Sequence, residues 1–454
     1  MSTSKIFLLV CLIGAGIWAY QTRIYLPAEK RIAYEIKESA QYTEGYDPRW
    51  DSLVLELAKG YIDGLVRRER QHEIFRKAWE AKRQGCVDPF IRYLCLMDLH
   101  QSGAANRPDE ALARESVAIV DALHRAPYPA ILRAYAAHRA FTLWHCAMGD
   151  REPETSDRIG SFLWHGSLQA LHDRSVSELM AAPLAKLFQD AYTKKGPTRD
   201  KAHTSIVRAL HEHFGDCATI PYLRGSLAVT RAWEARGTGW ASSVTQEGWD
   251  IFHKELQNAQ RELTDAWRIS AKDPEIAAEM ITVCMGLCLP RDEMERWFSR
   301  AIQTGLDASS ATSAKRYYLD PRWHGSGEED LAFARECLTH PEYGRYAARA
   351  LCAVHESRRQ LGKLPLSYFA QPEIWADIKT SLSAHQRNNP HLLGTRIRYA
   401  YHAWLAKDWA VLVEQLPETL PATFDPTYIV SPEVYSQMLA DARAHRPTTS
   451  PRSP

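Results

Sequence analysis

The chain is 454 residues long and carries 56 basic against 55 acidic side chains, so it has the length for a large core or several stacked units but no basic excess of the kind that holds a polyanion. That balance excludes a nucleic-acid partner at the level of gross electrostatics. At about 150 residues per domain the length corresponds to about three domains, a count that stacked repeats do not obey because each repeat packs only on its neighbours.

The first predicted element is apolar. Lys5 precedes an uncharged run of fifteen residues, Ile6 to Tyr20. As a helix this run would cover about 22 Å, short of a hydrocarbon core of about 30 Å. The length suits a signal-peptide core with Ala19 as the last residue removed. Ile17 then stands where a small side chain is preferred, which keeps an uncleaved anchor open beside the signal peptide. A buried N-terminal helix is the third reading. Arg23, Lys30 and Arg31 follow the run, so the flanking charges assign no orientation. Residues 1–22 therefore point to an exported chain, or to one tethered by this segment.

The body reads as helices. Leu53, Leu57, Tyr61 and Leu65 recur every four residues beside Val54, Ala58 and Ile62, the spacing of one helical face. Trp249, Phe252, Leu256, Ala259, Leu263 and Ala266 form a second face, and Ile276, Met280, Cys284 and Leu287 a third. Then come Met294, Trp297, Phe298, Ala301 and Ile302; Leu331, Ala334 and Leu338; Ala347, Ala350, Leu351 and Val354; Ile374, Ile378 and Leu382; Leu393, Ile397, Ala400 and Trp404; and Trp409, Leu412, Val413 and Leu416. No run of period two calls for a strand. Asp273-Pro274 and Ser431-Pro432 read as an N-cap with proline in the first turn. Ser326 with Glu329 reads as a capping box, and Asp292 with Glu295 has the same spacing. Helices of this length with short connections imply antiparallel hairpins in series, a degenerate solenoid of the tetratricopeptide kind. The expected divisions are an N-terminal helical region over 45–192, a linker around Thr193 to Thr198, a helical-repeat domain over 200–442 and a disordered tail over 445–454, with a polar loop from Gly149 to Asp157. The abundant aromatics, 14 Trp and 20 Tyr, are expected chiefly to fill gaps between helices. Beyond Cys11, eight cysteines remain, most of them in helical apolar patterns; they are expected to be mostly free thiols acting as small hydrophobes, although export would permit disulfides.

Three segments carry a resemblance. They are Arg231-Ala232-Trp233-Glu234-Ala235-Arg236-Gly237-Thr238-Gly239-Trp240-Ala241 with Gly248-Trp249; Met294-Glu295-Arg296-Trp297-Phe298-Ser299-Arg300-Ala301; and Tyr318-Leu319-Asp320-Pro321-Arg322-Trp323-His324-Gly325-Ser326 with Leu331 to Cys337. Together, over about Pro221 to Trp409, they resemble a bacterial helical-repeat family, domain of unknown function 4034. Arg322 and His324 depart from that family's usual Pro-Lys-Trp-Gly-Gly-Ser. The resemblance implies a tetratricopeptide-like fold in a bacterial setting and no particular activity.

Catalytic and ligand-binding patterns do not stand out. Arg236-Gly237-Thr238-Gly239 lacks the phosphate-loop frame and follows a helix, so it reads as a turn with glycine supplying positive φ. Gly325-Ser326-Gly327 lacks the spacing of a nucleophile elbow and reads as a cap. His72-Glu73 and His355-Glu356 open like a zinc motif, but Arg76 and Arg359 replace the second histidine, and both read as solvated helix faces. His211, His213, Asp216 and Cys217 are the one ligand-rich cluster in the sequence, with Gly215 breaking the helix between them, while Cys284 and Cys288 read as core packing on one face. Arg322 to Ser326 is the most unusual polar-aromatic stretch, with Trp323 expected as a plug between helices and Ser326 as a cap; a ligand loop is the other reading. No catalytic residue, cofactor site or metal site is assigned. The expectation is a non-enzymatic scaffold binding a protein or peptide along a groove, with membrane contact only through an uncleaved N-terminal segment; the alternative is a helical enzyme acting on an envelope polymer.

Overall fold

The computed structural model describes residues 47–67, 72–101, 110–126, 128–173, 176–192, 197–390, 392–420, 427 and 429–446. The apolar segment 1–22, most of the proposed linker and all but the first two residues of the C-terminal tail lie outside these. Among the described residues the chain is helical throughout, with no strand. The helices are α1 (Asp51–Arg67), α2 (His72–Arg83), α3 (Pro89–Gln101), α4 (Glu110–Arg125), α5 (Ala130–Met148), α6 (Pro153–His172), α7 (Glu178–Ala191), α8 (Pro197–Phe214), α9 (Thr219–Arg236), α10 (Gln246–Ile269), α11 (Pro274–Gly286), α12 (Arg291–Gln303), α13 (Ser309–Tyr318), α14 (Gly327–Thr339), the short α15 (Gly344–Ala347), α16 (Ala350–Leu361), α17 (Pro372–Asn388), α18 (Leu393–Leu405), α19 (Trp409–Gln415) and α20 (Pro432–Ala444).

Two compact units are formed, Met1–Asp98 with Pro108–Leu223, and Leu99–Arg107 with Arg224–Pro454. The division falls inside α9, and α8 packs with the first unit, against α6 and α7. In that unit α5 packs on α4 and α6. Its core carries two buried polar pairs: Tyr61 and Tyr93 hydroxyls 2.8 Å apart, and the Tyr128 hydroxyl donating to Asp88 over 2.6 Å. Asp88 also caps α3, accepting from the Phe90 and Ile91 amides, with Pro89 in the first turn.

In the second unit each helix packs on the next one or two: α11 on α10, α12 and α13, α16 on α14 and α17, α18 on α17 and α19. The faces read from periodicity are the buried ones. Phe252, Leu256, Ala259, Leu263 and Ala266 are all at most 1% exposed, and Ile378, Leu382, Ile397, Ala400 and Leu412 are fully buried. The caps at Asp273, Ser326 and Ser431 form, their side chains accepting from the amides of Glu275, Glu329 and Val434.

Three local expectations are corrected. Helix α12 starts at Arg291 behind Pro290, so Asp292 lies inside the first turn and pairs with Arg296 at 3.0 Å instead of capping. The loop after Gly149 is shorter than its polarity suggests, because Pro153 opens α6. Cys288 does not share a core face with buried Cys284. It is exposed, beyond the end of α11, with φ of 53°. There the Leu289 amide donates to the Cys284 carbonyl and the Cys288 amide to that of Met285, which closes the helix in a left-handed cap. The same cap recurs without glycine at Lys363 (φ 50°) and Lys407 (φ 58°). All eight described cysteines are free thiols, and burial pushes Cys284 and Cys337 up to about 12.

Candidate functional site: a cleft and two buried polar clusters around helix α16

Helix α16 carries Cys352, His355, Glu356 and Arg358. Its left-handed end at Lys363 turns the chain into a short 3-10 turn, Leu366–Ala370, that brings Tyr368 and Phe369 back towards the helix. His355 is wholly buried, so the expectation of a solvated helix face fails there. The reason is that α17 and the 3-10 turn Leu366–Ala370 pack on the helix and each supplies a polar partner to one ring nitrogen. Nε2 lies 3.1 Å from Asp377 Oδ2, and Nδ1 lies 2.9 Å from the Tyr368 hydroxyl. Since Asp377 can only accept when ionised, Nε2 carries the proton and Nδ1 accepts from Tyr368. Burial lowers the His355 pKa despite the aspartate, favouring the neutral ring this assignment requires. Arg335 donates to the same Asp377 oxygen at 2.8 Å.

Tyr368 opens onto a cavity of about 460 Å³, lined also by Asp320, Arg322, Asp330, Arg358, Leu361 and Leu364. Each charge at the cavity has a partner. Arg322 grips Asp320 through two bonds of 2.8 Å, holding its carboxyl below the usual range against the effect of burial. Arg316 pairs with Asp330 at 3.1 Å, yet burial outweighs that cation and raises the Asp330 carboxyl. Arg358 pairs with Glu328. The cavity is thus balanced in charge, with leucines at one edge.

Glu356 points to a second cluster, again inward. It sits one turn after Cys352 and reaches α18, where His402 Nε2 is 3.1 Å from Oε1 and Arg398 donates to the same oxygen, while Arg349 is 3.7 Å from Oε2. Burial would raise this carboxyl, but the His402 contact and the two arginines outweigh it and hold it at about 2. One ligand atom each from Cys352, Glu356 and His402 lie within 4.8 Å of one another, the only such group among the described residues. The opening His-Glu pair thus finds companions not at i+4 on its own helix but one turn back and on α18.

His211, His213, Asp216 and Cys217 do not converge. His211 is exposed and 3.6 Å from Asp216, His213 faces the Val176 carbonyl at 3.4 Å, and Cys217 is buried. The side chain of His72 lies outside the described residues, whereas Glu73 pairs with Arg76 on an exposed face.

A third cluster assembles segments that the sequence singled out separately. Arg236 lies over the rings of Trp233, Trp249 and Trp323 at 5.6, 5.8 and 5.2 Å. Trp323 meets Trp233 edge-on at 5.4 Å and Tyr317 at 5.8 Å, so it is the plug expected of it. Gly237, with φ of 72°, ends α9 as the turn reading requires. The loop carrying Trp323 is held by His324, whose Nε2 is 2.7 Å from the Met285 carbonyl. Gly325 is obligatory there: a Cβ would stand 2.1 Å from the Leu319 carbonyl oxygen. Compared with known proteins, the chain matches no family model, no curated protein and no solved structure.

Proposed function

We propose that this chain is a degenerate tetratricopeptide-like repeat protein of the family it resembles over Pro221 to Trp409, exported or tethered by its N-terminal segment, and that it binds a protein or peptide partner without chemistry. The observation that carries the reading is the leucine edge of the α16 cleft. Of the eight exposed large hydrophobics among the described residues, three, Leu361, Leu364 and Leu366, fall within six positions, at 45, 38 and 46% exposure. Leu361 and Leu364 line the cavity of about 460 Å³ together with Arg322 and Arg358. Apolar side chains beside a charge-balanced polar wall suit a peptide that buries side chains and leaves polar groups at the rim. Neighbour-on-neighbour helix packing supports the repeat reading, and the even charge balance supports a protein rather than a nucleic-acid partner.

A photo-crosslinking residue at position 364 of the full chain, in native membranes and soluble fractions, tests this. The expected result is a discrete adduct that is absent with the probe at Lys272 and lost in L361D/R358E. The same adducts from both positions would refute it. Fractionation with N-terminal sequencing tests export; a soluble cytoplasmic chain retaining Met1 would overturn that part.

One observation favours the second reading, a helical enzyme acting on an envelope polymer. The chain Asp377–His355–Tyr368 links a cavity-lining tyrosine, through its hydroxyl, to a buried histidine held by an aspartate. Tyr368→Phe separates the two: binding persists under the scaffold reading, and any turnover disappears under the enzymatic one.

A further inference from the structure

Within the hydrophobic core around α16, Cys352, Glu356 and His402 bring three ligand-type groups together. His402 is 1% exposed, and its Nδ1 is buried with no hydrogen-bond partner. A ring nitrogen that accepts from no neighbour is free to carry the ring's proton, which leaves Nε2 as a lone-pair donor towards Glu356 and Cys352. Beside it stands a buried thiol, Cys352, on the helical face that also presents Glu356. A thiol, a carboxylate and an imidazole from two helices are the donor types that zinc selects, and magnesium or calcium would not choose the sulfur or the ring nitrogen.

The geometry points to a zinc-class metal site formed by Cys352, Glu356 and His402, clasping α16 to α18, with a solvent molecule in the fourth position. The spacing supports it. Two ligands, each about 2.0–2.1 Å from a tetrahedral zinc, stand about 3.3 Å apart, and His402 Nε2 and Glu356 Oε1 are already 3.1 Å apart. Sulfur and nitrogen around the same ion stand about 3.6 Å apart, so the atoms, at most 4.8 Å apart now, need close by only about 1 Å. Arg398 stays on the carboxylate and fixes its orientation, the part that an outer-shell partner plays at metal sites.

The proton balance is definite. The thiol loses its proton to solvent as the sulfur–metal bond forms. Glu356 is already ionised. His402 binds through Nε2 as the neutral ring with its proton on Nδ1. The thiol proton leaves with each ion bound, so affinity should rise with pH.

Titration of the full chain with zinc and cobalt(II), after chelator treatment and dialysis, is the test. We expect one tightly held zinc per chain. With cobalt we expect a near-ultraviolet sulfur-to-metal charge-transfer band and the visible bands of a four-coordinate ion. C352S should abolish the charge-transfer band. H402Q and E356Q should each weaken zinc binding by about 100-fold or more, and R398L by about 10–100-fold. H211A/H213A should leave binding unchanged. Zinc retained equally by wild type, C352S and H402Q, or cobalt bound with no charge-transfer band, would overturn the site. If C352S fails to fold, as judged by circular dichroism, the band in wild type and its loss in C352A or H402Q decide the matter.

Discussion

Gly325 offers a test of the loop that frames the cleft. Replacing it with alanine places a methyl carbon 2.1 Å from the Leu319 carbonyl oxygen and 2.5 Å from that residue's C and Cα. All three are backbone atoms, so no side-chain rotation relieves the clash, and one strand of the loop must move by about 1 Å to reach ordinary contact. Overpacking of this kind costs about 1–3 kcal/mol. The displacement also strains the 2.7 Å contact from His324 to the Met285 carbonyl and the 2.8 Å bond from the Trp323 amide to the Asp320 carbonyl, each about 1 kcal/mol. The sum is about 3–5 kcal/mol, which for a unit of this size lowers its unfolding temperature by about 6–20 °C. Gly237→Ala is the control. Its φ of 72° is unfavourable to alanine, but nothing lies within 4 Å of the added Cβ, so the cost is the left-handed strain alone, about 1–2 kcal/mol. Thermal and urea unfolding followed by tryptophan emission reads both variants. Equal effects, or Gly325→Ala within about 0.5 kcal/mol of wild type, a change typical of neutral surface substitutions, would refute the steric argument.

Three further outcomes are expected. Lys407→Gly should raise stability by about 0.5–1 kcal/mol, because the residue holds a φ of 58° at the end of α18 where glycine is unstrained; an unchanged urea midpoint would count against it. Ser326→Ala should cost about 1 kcal/mol by removing the acceptor for the Glu329 amide, measured by the same unfolding and by faster amide exchange in the first turn of α14. Asp320 has a folded pKa below its unfolded value because Arg322 outweighs burial. Its stabilising contribution is therefore complete above about pH 4, the unfolded carboxylate range, and fades as pH falls through the lower folded value. The stability gap between wild type and D320N should narrow on acidification, and parallel pH profiles would disprove this.

Much of the second unit was legible because its helices are one-sided. Phe252 to Ala266 step by three and four against polar neighbours, and Asp273-Pro274 announces α11. In the first unit α3 and α5 are apolar nearly all round. Phe90, Ile91, Tyr93, Leu94 and Cys95 are consecutive or nearly so, and all are buried. A helix enclosed on every side shows no stripe to read. Yet Asp88-Pro89 carries the same start signal as Asp273-Pro274. The candidate site was the least legible part. His355 and Glu356 read as a broken zinc motif on a wet surface, because helical spacing gives neighbours at i+4 and not on another helix. What makes them inward is the arrival of Asp377, Tyr368, Arg398 and His402 from up to 46 positions away. The signal that was available is Cys352 one turn before Glu356, a soft ligand sharing its face.

The ring of indoles around Arg236 has a practical use. Trp233, Trp249 and Trp323 come from two helices and a distant loop, and all three sense the same cation at under 6 Å. A fixed charge beside an excited indole shifts its emission, so the second unit carries its own unlabelled optical gauge. A variant in which these three indoles, of the chain's 14 tryptophans, keep that shift has its Trp323 loop in place, and a lost crosslink or a lost metal in such a variant can be read as local.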